Sequence, residues 1–146
     1  MQTEIQEALQ GEIPDIVFFL GDNTHEDIDA VQDILQDVPM IGVHGNHDFH
    51  GTLEEHHIQD LHGQVIEWNG FTIGGFGGSI RYKEDSRYVM FTNEESEQIM
   101  SQMPRCDLLL THDKPCFEAP KYIHAHAGLT GIGQYIETNH PAVCLH

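Results

Sequence analysis

At 146 residues the chain has room for one domain with a buried core and too little for two. Apolar residues make up 39% and charged residues 21%, and no apolar run approaches the roughly 20 residues of a membrane helix, which excludes a spanning segment. With 24 acidic residues against 6 basic ones and a formal charge of −18, nucleic acid and anionic membranes are disfavoured as partners, while cations and small solutes are favoured.

A first helix is expected from about Thr3 to Gln10, ended by Gly11 and Pro14. Asp15 to Leu20 reads as a fully buried strand because its apolar run is continuous. Thr24 or Asn23 caps a helix over about Glu26–Gln36, with Ile28, Val31, Ile34 and Leu35 facing the core. Pro39 to Val43 is the next strand, followed by the polar turn His44-Gly-Asn-His-Asp48. Val65–Trp68 and Phe71–Gly74, joined by Asn69-Gly70, form a hairpin. A glycine-rich loop, Gly74–Gly78, leads into a charged stretch near Arg81–Arg87. Thr92-Asn-Glu-Glu95 is a capping box that opens a helix reaching Met103. Cys106 to Thr111 is a buried strand ending at His112, and a helix over about Leu129–Thr138 precedes a strand at Ala142–Leu145. Strands alternating with helices make this an α/β domain.

Three polar clusters each follow a buried strand: Gly21-Asp22-Asn23, Gly45-Asn46-His47-Asp48 and Thr111-His112. Ligands gather at the carboxyl ends of strands in α/β sheets, because the loops there converge. Taken singly, Gly-Asp is a common turn and a lone His a common cap. Together, Asp, Asn and His offer oxygen and nitrogen ligands suited to Mn, Fe, Zn or Mg, with no thiolate among them. The 12 histidines raise the expectation of metal chemistry further. Cys106, Cys116 and Cys144 lack CxxC spacing and fit a reducing cytosol, and Met1-Gln2-Thr3-Glu4 reads as neither signal nor transit peptide, so the expected location is cytoplasmic.

Phe19-Leu-Gly-Asp22, Gly42-Val-His-Gly-Asn-His-Asp48 and Thr111-His-Asp-Lys-Pro115 resemble the second, third and fourth signature blocks of the calcineurin-like metallophosphoesterases. Trp68–Gly78 resembles the family's hairpin and glycine turn, and His124-Ala-His-Ala-Gly128 its late His-x-Gly segment. The resemblance implies an α/β/β/α sandwich of two mixed sheets flanked by helices. It also implies a phosphate mono- or diester hydrolase using two divalent metal ions, with Mn favoured among Mn, Fe, Zn and Mg. By the same resemblance Asp22 bridges the metals, Asn46 and His112 are ligands of the second metal, His47 sits over the phosphate and Asp48 orients His47.

The chain departs from the family pattern at both ends. No Asp-x-His precedes Ile16 and no Gly-His-x-His is reached by His146, so the expectation is one domain over residues 1–146, incomplete at each end. A degenerate, inactive scaffold that binds a protein partner is the competing reading, and retention of Asp22, Asn46, His47, Asp48 and His112 together favours the enzyme. A P-loop nucleotide-binding module is disfavoured, because Gly74–Gly78 opens no helix and has no Lys-Ser or Lys-Thr after it. The expected substrate is a small phosphoester. Arg81, Lys83 and Lys114 are the basic groups expected at the site edge, the first two on a loop that contacts phosphate. Oligomeric state leaves no signal in the sequence.

Overall fold

Alternation of side chains along the strands sorts the apolar residues into three separate cores, and these define the layers. The computed structural model describes residues 1–146. In chain order its first half runs α1 (Gln2–Leu9), β1 (Val17–Phe19), α2 (His25–Ile34), β2 (Met40–Gly42), α3 (Thr52–Glu55), β3 (Gln59–Asp60) and β4 (Val65–Trp68). The second half runs β5 (Phe71–Phe76), β6 (Ser79–Ile80), β7 (Met90–Phe91), α4 (Asn93–Ser101), β8 (Leu108–Thr111), α5 (Thr130–Asn139) and β9 (Val143–Leu145).

One sheet is β1-β2-β3, and the other is β4-β5-β8-β9. In the first sheet both pairings are parallel. In the second, the β4–β5 hairpin is antiparallel while β5–β8 and β8–β9 are parallel. A bridge between His62 and Gly75 ties the sheets at one place, and β6–β7 is a separate two-stranded ribbon.

Ile41, Val43, Leu61, Ile73 and Leu110 fill the space between the sheets, joined by Phe18 and Leu108. The odd and even neighbours of those residues point outward. Phe19 and Met40 pack with Ile28 of α2 and Leu53 of α3 on one outer face. Leu109 packs with Met100 of α4 and with Ile132 and Tyr135 of α5 on the other. The result is the helix–sheet–sheet–helix sandwich expected. Capping boxes start α2 and α4: Thr24 with Asp27, and Thr92 with Glu95, each exchanging side-chain and backbone hydrogen bonds.

Four expectations need correction. The first sheet is parallel throughout rather than mixed. β1 is shorter than its apolar run and only Phe19 in it is buried, because it pairs on one side alone. β5 runs on through Gly75 and Phe76, which were expected in the loop. A Cβ on Gly75 would sit 2.8 Å from Leu61 Cβ and Val43 Cγ1, so the glycine allows the two sheets to close on each other there. Finally α3, β3, β6 and β7 have 2–4 residues each, too few to leave a periodic pattern in the sequence. No helix is long and apolar enough to cross a membrane.

Leu110 is fully buried between the sheets and Ile13 is 78% exposed. Leu110→Ala is expected to lower the unfolding free energy by about 2–5 kcal/mol in urea titrations, and Ile13→Ala by no more than about 0.5 kcal/mol.

Candidate metal centre

The chain bends sharply after β1, β2 and β8, and the three bends meet at one edge of the sandwich. After β1, Gly21 has φ +96° and Asp22 φ 56°, two consecutive residues in the left-handed region. Aspartate is among the few side chains that tolerate it. After β2, Gly45 lies directly against this turn. A Cβ on Gly21 would overlap the backbone of Gly45 and stand 2.6 Å from His112 Nδ1.

Asp48 holds the two turns together. It is buried, and its Oδ2 accepts the Asp22 N–H at 2.9 Å and the Gly45 N–H at 2.7 Å. In return Asp22 Oδ1 accepts the His47 N–H at 2.8 Å. These are charge-assisted bonds, and they fix the height at which each loop leaves its strand. The resemblance gives Asp48 the task of orienting the His47 imidazole. Its Oδ2 serves the backbone, so it positions the loop that carries His47.

His112 arrives from β8 in the other sheet. Its Nδ1 lies 2.8 Å from the Leu20 carbonyl. A carbonyl can only accept, so Nδ1 carries the proton and a neutral ring presents a lone pair at Nε2. That nitrogen lies 3.0 Å from Asn46 Oδ1 and 3.5 Å from Asp22 Oδ2. In that tautomer Nε2, the amide oxygen and the carboxylate converge as acceptors, an arrangement that a cation relieves. Imidazole nitrogen, carboxylate and amide oxygen suit a divalent transition metal, and the Leu20 carbonyl supplies the outer contact that sets the ring's tautomer. The Asp22 side chain is 33% exposed and that of His112 20%, which leaves one side open. Asn23 Oδ1, buried and without a hydrogen-bond partner, lines the same groove. The residues present therefore fit a metal ion.

The structure brings Asp22, Asn46 and His112 to one point and sets His47 on the rim. Beside that point lies a groove of about 270 Å³ lined by Asp22, Asn23, His25, His47, Asp48 and Phe49 among others; of the three converging residues only Asp22 lines it. His47 is exposed, its ring edge-on to Tyr88 at 6.4 Å between centroids. Of the basic groups expected at the edge, Arg81 is committed elsewhere. Arg81 donates to the Met90 carbonyl and to Glu95 at 3.1 Å each, which locks it to the start of α4 and away from the groove. Lys83 lies over the Tyr88 ring, and Lys114 is exposed.

A partly buried cluster of charge around His44 went unread in the sequence. His44, within the second of these loops, has Nδ1 3.2 Å from Asp60 Oδ2. Its Nε2 lies 3.3 Å from the Leu53 N–H and 3.5 Å from Glu54 Oε2. Ligand atoms of His44, Glu54 and Asp60 lie within 4.8 Å of one another and could hold an ion, but here both ring nitrogens already have protein partners. Burial alone would push the His44 ring down. The Asp60 hydrogen bond and the charges of Asp60, Glu54 and Asp48 outweigh it and hold the ring above its ordinary value. Burial would raise Asp60, yet hydrogen bonds from His44 and from the His62 N–H hold its carboxyl below the usual range. Burial pushes His62 down, and its Nδ1 accepts the Gly77 N–H at 3.0 Å. The only sequence signal for this cluster was the surplus of histidine.

A family model described as calcineurin-like phosphoesterase matches residues 2–144, nearly the whole chain. No curated protein matches it.

The signs of these shifts fix a pH dependence. His44, raised above 6.5, stabilises the fold at pH values below 6.5, and that share is lost as pH rises through the raised value. Asp60, lowered below 3.8, stabilises above 3.8, and its share is lost as pH falls through the lowered value. Urea unfolding at about pH 6 and about pH 9 should therefore show a larger loss of stability in the wild type than in His44→Gln. Equal losses would mean that His44 is not held by its carboxylates.

Proposed function

Because the chain belongs to the calcineurin-like phosphoesterase family, we propose that it is a metal-dependent hydrolase of small phosphate mono- or diesters. The observation that supports this most is the meeting of Asp22, Asn46 and His112 at one point, with acceptor atoms 3.0–3.5 Å apart. In this reading those three hold one divalent ion. Asp22, the one charged residue among them, would also be available to a second ion. When bound, divalent ions, manganese favoured, supply Lewis acidity and an acidified water for in-line attack on phosphorus.

The chain's own groups then have separate tasks. Asn46 is a neutral ligand and leaves the site less negative than a third carboxylate would, which lets an anionic ester approach. His112 keeps its Nδ1 proton on the Leu20 carbonyl and so offers Nε2 in a fixed orientation. His47 has a free imidazole on the groove rim. It hydrogen-bonds a phosphoryl oxygen or gives a proton to the departing alkoxide. Asp48 acts through the backbone, holding Gly45 and Asp22 so that the ligands and His47 keep their spacing. Small esters rather than DNA are the substrates, because the chain has 6 basic residues against 24 acidic ones. Three free cysteines accord with a reducing compartment such as the cytoplasm.

Metal analysis together with a chromogenic phosphodiester assay tests the proposal. The expected result is bound Mn with turnover, whereas folded, metal-free and inert protein would point to a binding scaffold. Asp22→Ala and His112→Ala should each lower the bound metal by about 10-fold or more. His47→Asn should retain the metal and lower kcat by about 10²–10⁴-fold. Loss of metal in His47→Asn would move that residue into the ligand set.

A further inference from the structure

One side chain lining the groove does not suit a site built for phosphate alone. Phe49 directly follows Asp48, is 56% exposed, and faces the same groove as Asp22 and His47. The other groove residues are polar. Its ring stacks on Tyr88 at 5.8 Å between centroids with an interplanar angle of 16°. The backbones of the two residues form an antiparallel bridge. The Phe49 carbonyl accepts hydrogen bonds from the Thr52 N–H at 3.3 Å and the Thr52 hydroxyl at 2.9 Å. Tyr88 is itself in contact with cations, Lys83 Nζ lying 4.3 Å and Arg87 Cζ 5.7 Å from its ring centroid. The exposed Phe49 ring is therefore the outer leaf of a braced aromatic stack.

From this arrangement we propose that Phe49, backed by Tyr88, is a leaving-group subsite that takes a planar aromatic group of the phosphoester. The inference rests on the hydrolase reading and names its substrate class: nucleoside or aryl phosphoesters over alkyl ones. An exposed aromatic face costs hydration in the free protein and is covered when a flat ring lies on it, in the offset or parallel geometry that such pairs prefer. Stacking tolerates any flat ring, so the groove selects planarity rather than one base. The Lys83 ammonium and the Arg87 guanidinium over the Tyr88 ring add positive charge to this wall and favour an electron-rich ring edge.

The test compares esters that share a leaving oxygen and differ in planarity. One pair is adenosine 5′-monophosphate and ribose 5-phosphate. The other is benzyl phosphate and cyclohexylmethyl phosphate. In the wild type the planar member of each pair should have the higher kcat/KM, and in Phe49→Ala that preference should fall about tenfold. Phe49→Trp should restore it and Phe49→Leu should not. Collapse in the first pair alone identifies a nucleobase as the occupant, and collapse in both identifies any aromatic group. An unchanged preference in Phe49→Ala overturns the subsite. Binding in Mg²⁺, followed by proton NMR, separates this outcome from failure of the hydrolase reading. If no ester is turned over, upfield ring-current shifts of the adenine protons that vanish in Phe49→Ala still support the subsite, and their absence in the wild type refutes it.

Discussion

The Asp48 carboxylate is the contact on which the candidate site depends. One oxygen takes two backbone protons, from Asp22 and from Gly45, and so joins the turn after β1 to the turn after β2. No bulk is available between those turns, since a side chain at Gly21 would overlap Gly45. Backbone contact of this kind costs hydration of two N–H groups, and only an acceptor already inside the contact can offset that cost. A buried carboxylate is suitable because the two donors that stabilise its charge are the same two it must satisfy. The pair of glycines, the left-handed Asp22 and the buried Asp48 form one constraint seen from four residues.

His112 extends that constraint across the sandwich. β1 and β2 lie in one sheet and β8 in the other, so nothing in strand pairing brings their ends together. The core between the sheets does, with Ile41 and Val43 meeting Ile73 and Leu110. The imidazole then closes the gap at the edge by bonding the carbonyl of Leu20, the residue that follows β1 and precedes its turn. Packing sets the distance between the layers and one ring nitrogen sets the angle. Loss of inter-sheet volume would therefore reach the ligands through His112 before it reached Asp22 or Asn46, which lie on the same sheet.

Much of this was legible in the sequence, and the parts that were not share a cause. The hairpin at Asn69-Gly70 and the boxes at Thr24 and Thr92 encode local geometry in adjacent residues, and each element formed where expected. The strand-end cluster was legible because Gly45-Asn46-His47-Asp48 packs a turn, a candidate ligand and a brace into four positions. The short elements, β3 and β6 above all, draw their hydrogen bonds from distant partners and have no period to display. The bracing by Asp48 was not legible, because a carboxylate beside a histidine suggests a side-chain pair. Only the fold shows that its Oδ2 takes two backbone protons. His44 with Asp60, and Phe49 with Tyr88, were invisible for the same reason, being pairs 16 and 39 positions apart.

The distribution of positive charge bears most directly on how such a site could admit an anion. The chain has 6 basic side chains, and each arginine is committed: Arg81 to Glu95, Arg87 to Asp85 and Arg105 to Asp107. The Arg87 pairing holds the Asp85 carboxyl down to about 2. Lys83 and Lys121 lie over tyrosine rings. No lysine or arginine lines the groove, while Asp22 and Asp48 bring negative charge to it. Attraction by the protein alone would have the wrong sign at this edge, and the field reverses only if cations occupy the point where Asp22, Asn46 and His112 meet. An acidic surface and a phosphoester substrate are compatible on that condition. The same acidity then helps, because it draws divalent ions to the site and repels polyanions too large to be neutralised there.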